Sequence, residues 1–332
     1  MDFSVALDVF AKTTLFFTLP WVIFSLLSTL SDVCVGFIDE LLLQRLSTDS
    51  TTESLDMDAP GQLLLVSGFF GLVISLIVYL AACLTDSVTL IFSKVSLVNA
   101  VGAGMIEVLW LIPYFYALQR GGALRVTPLF QSVPIFALLF GYVLFAEFPT
   151  TIHIVASLFI LCGAFLLNYS PEIKQLDKKT VGLMFLASSL ISLGYFLFKD
   201  AAEISNFATA LLGNGIGMAL LSIVIWILWK PYRSQFWNRV RSFKFHIIAL
   251  QTLNEGLYAI SAFFNQLALV FGPSVMLVST MNSFHPLFTL VIGGVLAKTG
   301  IPVYEEAFKG TAKYLKVSGI LLIVIGTIVI AS

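Results

Sequence analysis

Charge is the scarcest ingredient of this 332-residue chain. Asp, Glu, Lys and Arg make up 11% of it, against 58% hydrophobic residues. Ordinary soluble domains carry about 25% charge and about 45–50% apolar residues. With 30 Phe in the apolar set, a water-soluble fold of this size could not cover its surface, so the solvent must be lipid. The shortage of Lys and Arg and the formal net charge of −1 leave no basic patch for nucleic acid. Cysteine is nearly absent too. Cys34, Cys83 and Cys162 each sit inside an apolar run, none at metal spacing, and an odd count argues against a disulfide framework. Three histidines, His153, His246 and His285, are too few and too scattered for a transition-metal cluster, so no metal or cofactor is expected.

Catalytic signatures are missing as well. The sequence holds no HExxH, no GxSxG elbow and no GxxxxGK[ST] loop, which excludes the hydrolases built on them and transport driven by ATP. A paired-aspartate intramembrane protease needs two mid-span Asp residues, and only Asp32 qualifies. A channel would usually repeat a filter-like segment, and none is present. No enzyme and no catalytic residue is expected.

What the chain has is long apolar runs. A helix needs about 20 mostly apolar residues to cross the hydrocarbon. That ruler gives ten spans, near 15–38, 62–84, 97–117, 125–146, 150–169, 180–199, 207–229, 246–269, 274–297 and 314–331. The first is too long for a cleaved signal and has no small-residue cleavage site after it. Most connections are short, so neighbouring helices run antiparallel. Two are longer: a polar, acidic loop over 43–61, and a basic one from Lys230 to Lys244. Fifteen of the 18 basic residues fall in the odd-numbered loops, and only Lys12, Lys94 and Lys199 elsewhere. The positive-inside bias then places the odd loops in the cytoplasm and both termini outside.

The chain also repeats itself. At a constant offset, Ser28, Ser31, Phe37 and Asp39 meet Ser189, Ser192, Phe198 and Asp200. Further on, Pro134 and Gly141 meet Pro286 and Gly293, with Ala117-Leu118 and Ala268-Leu269 shortly before each. The fifth and tenth spans each carry two small residues seven apart, Ala156/Gly163 and Gly319/Gly326. Five spans per half is an odd number, so the second half enters the membrane from the opposite side. The expected fold is an all-α integral membrane protein of ten transmembrane helices in two inverted five-helix repeats, 1–172 and 173–332. Such repeats are characteristic of secondary transporters, with the substrate site near the midplane.

One stretch carries a family resemblance. Tyr116-Ala-Leu-Gln-Arg-Gly-Gly-Ala-Leu-Arg-Val-Thr-Pro-Leu-Phe-Gln-Ser-Val-Pro134, followed by Gly141, Glu147-Phe-Pro-Thr150 and Gly163, resembles the EamA pattern of the drug/metabolite transporter superfamily. The second half departs from it at Lys298-Thr299, where the acidic residue is expected. The resemblance implies a metabolite carrier and cytoplasmic termini, the reverse of the charge count.

Polar residues inside spans are the candidates for function, because a charge at the bilayer centre costs about 2.5–3.5 kcal/mol on insertion scales. Asp32, Glu107 and Glu255 are the mid-span carboxylates. Trp110 and Tyr114 follow Glu107 on one helix face, while Asn254, Tyr258, Ser261 and Asn265 form a stripe beside Glu255. Asn282 and His285 precede Pro286, and Gln131 holds the matching place before Pro134. Trp110, Tyr114 and Tyr258 are expected, with Tyr195, to line a largely apolar cavity. The plain alternative for the carboxylates is an interhelical hydrogen bond. Glu147, Asp200, Glu203 and Lys298 read as span-end charges reaching water, and Gly213/Gly217 and Gly102/Gly104 as sites of close helix contact.

The expectation is therefore a secondary transporter in the cell (inner or plasma) membrane, a monomer or weak homodimer whose partners are lipid and a small solute. Its solutes would be amphipathic metabolites such as amino acids, exported or exchanged by alternating access. Desolvation favours a neutral carboxyl, so Glu107 or Glu255 could carry a proton in one state and release it in another. The alternative is an uncoupled facilitative carrier or channel.

Overall fold

The computed structural model describes residues 20–39, 41–42, 59–84, 93–122, 126–168, 177–230, 233, 245–298 and 312–331. Every regular element among them is helical. In chain order these are α1 (Pro20–Asp39), α2 (Ala59–Leu84), α3 (Lys94–Gly121), α4 (Val133–Leu144), α5 (Thr151–Asn168), α6 (Lys178–Ile204), α7 (Phe207–Leu228), α8 (Phe245–Phe271), α9 (Val275–Met281), α10 (His285–Lys298) and α11 (Ala312–Ala331). Residues 15–19 of the first expected span, residues 43–58 of the polar loop and most of the basic loop lie outside the described residues. The last three residues assigned to the polar loop, 59–61, already belong to α2.

Six helical stretches are long and apolar enough to cross a membrane: Pro20–Asp39, Leu64–Leu84, Lys94–Gly121, Lys178–Ile204, Phe207–Leu228 and Val275–Ile292. Leu129–Leu144, Thr151–Leu167 and Tyr314–Val329 are apolar but shorter. α8 has the length without the apolarity. Gln251, Asn254, Glu255, Asn265 and Gln266 interrupt it, so the helix richest in polar side chains is the one that composition alone does not place in lipid.

Two helical paths are broken, and the prolines explain why. The chain enters α4 through a 3-10 turn, Thr127–Ser132, and passes from α9 to α10 through another, Asn282–Phe284. Pro134 and Pro286 are each the second residue of the helix that follows. A proline lacks an N–H and its ring clashes with the carbonyl four residues back, so regular α-helix stops before it and resumes after it.

In lipid, close backbone approach replaces the hydrophobic effect as the force between helices. The small-residue seam between α5 and α11 shows this directly. A Cβ on Gly163 would lie 2.5 Å from the Gly319 carbonyl oxygen, and one on Gly319 would lie 2.6 Å from that of Gly163. Gly326 meets the Ala156 oxygen in the same way, at 2.7 Å. Elsewhere α3 packs on α6 and α7, and α2 packs on α7. Gly104 faces the Asn214 backbone and Gly217 the Val101 carbonyl across the α3–α7 contact, at 1.8 and 2.0 Å from a notional Cβ. Phe69, Leu84, Tyr142, Phe165, Leu228 and Tyr314 project outward, each more than half exposed, as a lipid-facing surface requires.

Candidate functional site

Polar side chains collect where α1, α3, α6 and α8 meet. On α1, Ser28, Asp32 and Asp39 fall on one face, spaced four and seven residues apart. α8 answers with Asn254, Tyr258, Ser261 and Asn265. Ser261 donates to Asp32 Oδ1 at 2.5 Å and lies 2.9 Å from Ser28 Oγ. Asn254 Nδ2 donates to Asp39 Oδ1 at 2.8 Å, and the Tyr114 hydroxyl reaches Asp39 Oδ2 at 3.3 Å. From α8 to α3, the Tyr258 hydroxyl donates to Glu107 Oε1 at 2.5 Å. Glu255 turns the other way, toward α2, and accepts from Ser67 Oγ at 2.7 Å.

Four carboxyl groups thus run through the interior. Asp32 lies in the field of Glu107, Asp39 in that of Asp32, and Glu255 in that of Asp39. Asp39 and Glu255 are 3% and 2% exposed. Among the described residues none of the four forms an ion pair, and Glu255 Oε2 has no hydrogen-bond partner at all. Buried charge without a partner is rare in folded proteins because its desolvation is uncompensated. Such a group is held neutral, or it waits for a partner.

A cavity of about 20 Å³ opens beside Glu107. Tyr195 and Phe198 of α6, Asn214 of α7, and Asn265, Gln266 and Leu269 of α8 surround it. Space of that order holds one or two water molecules, so the cavity is closed down in this conformation. Tyr195 has the side-chain amides of Asn265 and Asn282 beside its hydroxyl. Asn282, in the break between α9 and α10, accepts from Thr29 at 3.2 Å. The broken helix therefore borders the same polar region as the cavity.

The remaining expected residues fall elsewhere. Trp110 meets Phe130 edge-on and Tyr114 meets it tilted, ring centroids 6.1 and 5.4 Å apart, in an aromatic cluster outside the cavity wall that Trp110 joins to Glu107. Tyr258 stands behind Glu107. His285 bonds its own helix through Thr289, 3.3 Å from Nδ1. Gln131 lies in the 3-10 turn before α4, with Oε1 buried and unpartnered. The reading of residues missed Asp39, Asn214 and Gln266. Asp39 falls one residue past the expected span 15–38, although its spacing of seven from Asp32 marks a shared face. Asn214 and Gln266 carry no such signal.

A second charged cluster sits at one end of the bundle, built from residues taken for water-facing ends. Lys199 Nζ is 2.8 Å from Glu147 Oε1, while Glu147 Oε2 accepts the Val275 N–H at 2.9 Å. Glu147 thereby holds the first turn of α9, where Ser274 caps the N-terminus by accepting from Leu277 N–H at 3.2 Å. Next to it, Asn99 donates to Asp200 at 2.5 Å. Both carboxylates bind protein partners rather than only water.

Comparison with known proteins agrees with the motif. Residues 56–169 match the EamA-like transporter family. No curated protein matches the chain. A solved structure described only as "Crystal structure of protein" superposes with a TM-score of 0.57 at 20% identity, covering 90% of this chain and 96% of that one. At that identity the likeness shows the fold alone.

Proposed function

We infer from the match of residues 56–169 to the EamA-like transporter family, together with the apolar helices, that the chain is a multi-pass membrane protein of the transporter class. From that premise we propose a secondary transporter, built as two inverted repeats over 1–172 and 173–332, that moves small amphipathic metabolites by alternating access. The observation that carries this reading is the closed polar cavity beside Glu107, walled by α3 of the first half and α6, α7 and α8 of the second.

The packing supports a pseudo-two-fold relation between the halves. In an inverted repeat, α1 corresponds to α6 and α3 to α8. The α1–α8 contact, joined through Ser28, Asp32 and Ser261, is then the counterpart of the α3–α6 contact. α2 against α7 and α5 against α11 are each self-related, and the reciprocal Gly163–Gly319 approach has the symmetry such a pair needs. Breaks at Pro134 and Pro286 occupy matching places. Discontinuous helices at corresponding positions of two halves point to the binding region.

Proton linkage follows from the unpaired carboxyl groups. A buried carboxyl with no cation beside it is most cheaply kept neutral, and it can release its proton when the cavity opens to water. Glu107 and Glu255 are the proton-carrying candidates and Asp32 a third. Tyr195, Tyr258, Asn254 and Asn282 would hold solute or the carboxyl groups, with Gln131, His285, Trp110 and Tyr114 further out. Liposomes containing the purified protein test the reading. Solute uptake should rise when a pH gradient is imposed and fall when it is collapsed. Uptake indifferent to the gradient would remove the coupling and leave a facilitative carrier.

A further inference from the structure

The cavity beside Glu107 is rich in hydrogen-bond acceptors and poor in free donors. Asn265 Oδ1 and Gln266 Oε1 have no donor, although both side chains are only 6% exposed and both line the space. Their amide N–H groups are engaged elsewhere, Gln266 Nε2 with Asn214 Oδ1 at 3.4 Å and the Asn265 amide beside the Tyr195 hydroxyl. Glu107 adds a carboxyl group that accepts from the Tyr258 hydroxyl and has the Trp110 indole beside it. Buried carbonyl oxygens are almost always satisfied in folded proteins. Two orphan oxygens on residues that line one cavity, next to a carboxyl without a cation, ask for a ligand that brings both N–H groups and positive charge.

Resting on the transporter reading above, we propose that this cavity takes the protonated nitrogen of a small organic cation, a primary ammonium or guanidinium group. Glu107 is its counter-ion, and Asn265 and Gln266 accept its remaining N–H donors. An ammonium head is the size of a water molecule, which matches the space present. The Tyr195 and Phe198 rings offer π faces to a cation, while Ala262 and Leu269 suit the attached carbon. A zwitterionic amino acid would need a cation for its carboxylate, and among the described residues no Lys, Arg or His lines the cavity. Charge therefore narrows the solute class from amphipathic metabolites in general to amphipathic amines.

The test uses the purified full chain in detergent at one fixed pH, with binding read by calorimetry and thermal shift. The probes are phenethylamine and phenylguanidine, against 2-phenylethanol, 3-phenylpropionate, phenylalanine and sodium chloride. At least one of the two cations should bind, and the alcohol and the anion should not. Glu107→Gln should weaken that binding by about tenfold or more, the loss of a charge-assisted contact. Asn265→Leu should weaken it by a smaller factor, and an unchanged melting temperature in each variant shows that it is folded. Binding of phenylalanine or phenylpropionate as tight as that of the cations overturns the proposal. So does a shift with sodium alone, no binding of either cation, or cation binding that survives Glu107→Gln. Flux in liposomes separates the two readings. Movement of a neutral or zwitterionic solute that ignores Glu107 ends the cation proposal and leaves transport standing. Glu107-dependent cation binding without flux of any solute keeps the site and ends the transport reading.

Discussion

Two groups of carboxylates occupy this molecule, and they are built on opposite plans. At one end of the bundle, Glu147 is fully engaged, by Lys199 on one oxygen and the Val275 N–H on the other. In the interior, Asp32, Asp39, Glu107 and Glu255 are held by hydroxyl, amide and indole donors, with no cation beside them among the described residues. Paired charge holds helices in place, whereas unpaired buried charge destabilises the fold that contains it. A protein keeps the second kind where function uses it. Neutralising a carboxylate should therefore have opposite effects in the two regions.

The sharpest contrast comes from Glu107→Gln and Glu255→Gln. Each replacement keeps the shape and the acceptor oxygen that Tyr258 or Ser67 uses, and removes the titrating group. Transport driven by a pH gradient should fall by about tenfold or more, the typical scale of a lost acid–base group being about 10²–10⁴. The melting temperature in detergent should stay level or rise. A variant that lost stability and kept coupling would reverse the comparison.

Glu147→Gln should show the converse. Lys199, with its side chain 11% exposed, would be left without its nearest counter-charge. Removing one partner of a buried pair costs about 3–5 kcal/mol, and partial exposure of Glu147 lowers that to about 2 kcal/mol. A drop of several degrees in melting temperature is expected, with cation binding at the Glu107 cavity retained. Adding Lys199→Met should recover part of the loss, because the orphaned ammonium goes with it. Additive losses in the double variant would show that the pair is not coupled.

Asp39 lies between the two plans, buried and doubly hydrogen-bonded but without a cation. Asp39→Asn keeps one acceptor for Asn254 or Tyr114 and removes the charge felt by Asp32 and Glu255. Its effect on transport should be a few-fold, smaller than that of Glu107→Gln, since Asp39 does not line the cavity. A loss as deep as that of Glu107→Gln would make Asp39 a member of the proton path.

The same contrast explains what the sequence discloses. Long apolar runs fix where helices lie, because lipid tolerates little else, and Pro134 and Pro286 mark the two breaks, whereas Pro113 sits inside an unbroken α3. The small residues Ala156/Gly163 and Gly319/Gly326 stood out as a repeat, but that the two helices pack on each other there only the fold discloses. Glu107, Asp32 and Glu255 stood out by cost alone. Partnership was not legible. Glu147 and Lys199 are 52 positions apart and only the fold brings them together, so Glu147 looked like a span end and Lys199 like a basic residue outside the odd loops. Trp110 and Tyr114 share a face with Glu107, yet a helix face spans enough arc to serve a cavity and an aromatic cluster at once. Asn214 hid inside a glycine motif, and its amide matters only because α7 presents it to Gln266.

Asp177 provides the smallest test, a carboxylate of a third kind. It precedes α6 and caps it, accepting from both the hydroxyl and the backbone N–H of Thr180, with Arg120 3.6 Å away. The Thr180 hydroxyl bond, with lesser help from its N–H and from Arg120, holds the Asp177 carboxyl below the usual value of 3.8. A lowered value in the folded state means that the ionised form stabilises the fold. That contribution is complete above the ordinary carboxylate range and is lost as pH falls through the folded value. Asp177→Ala should lower the melting temperature by a degree or so near neutrality, the cap being exposed. The gap between wild type and variant should hold steady down to about pH 5 and close on further acidification. Interior carboxyl groups held neutral would not follow that course, so a gap that widens toward low pH would place Asp177 with them and not among the capping charges.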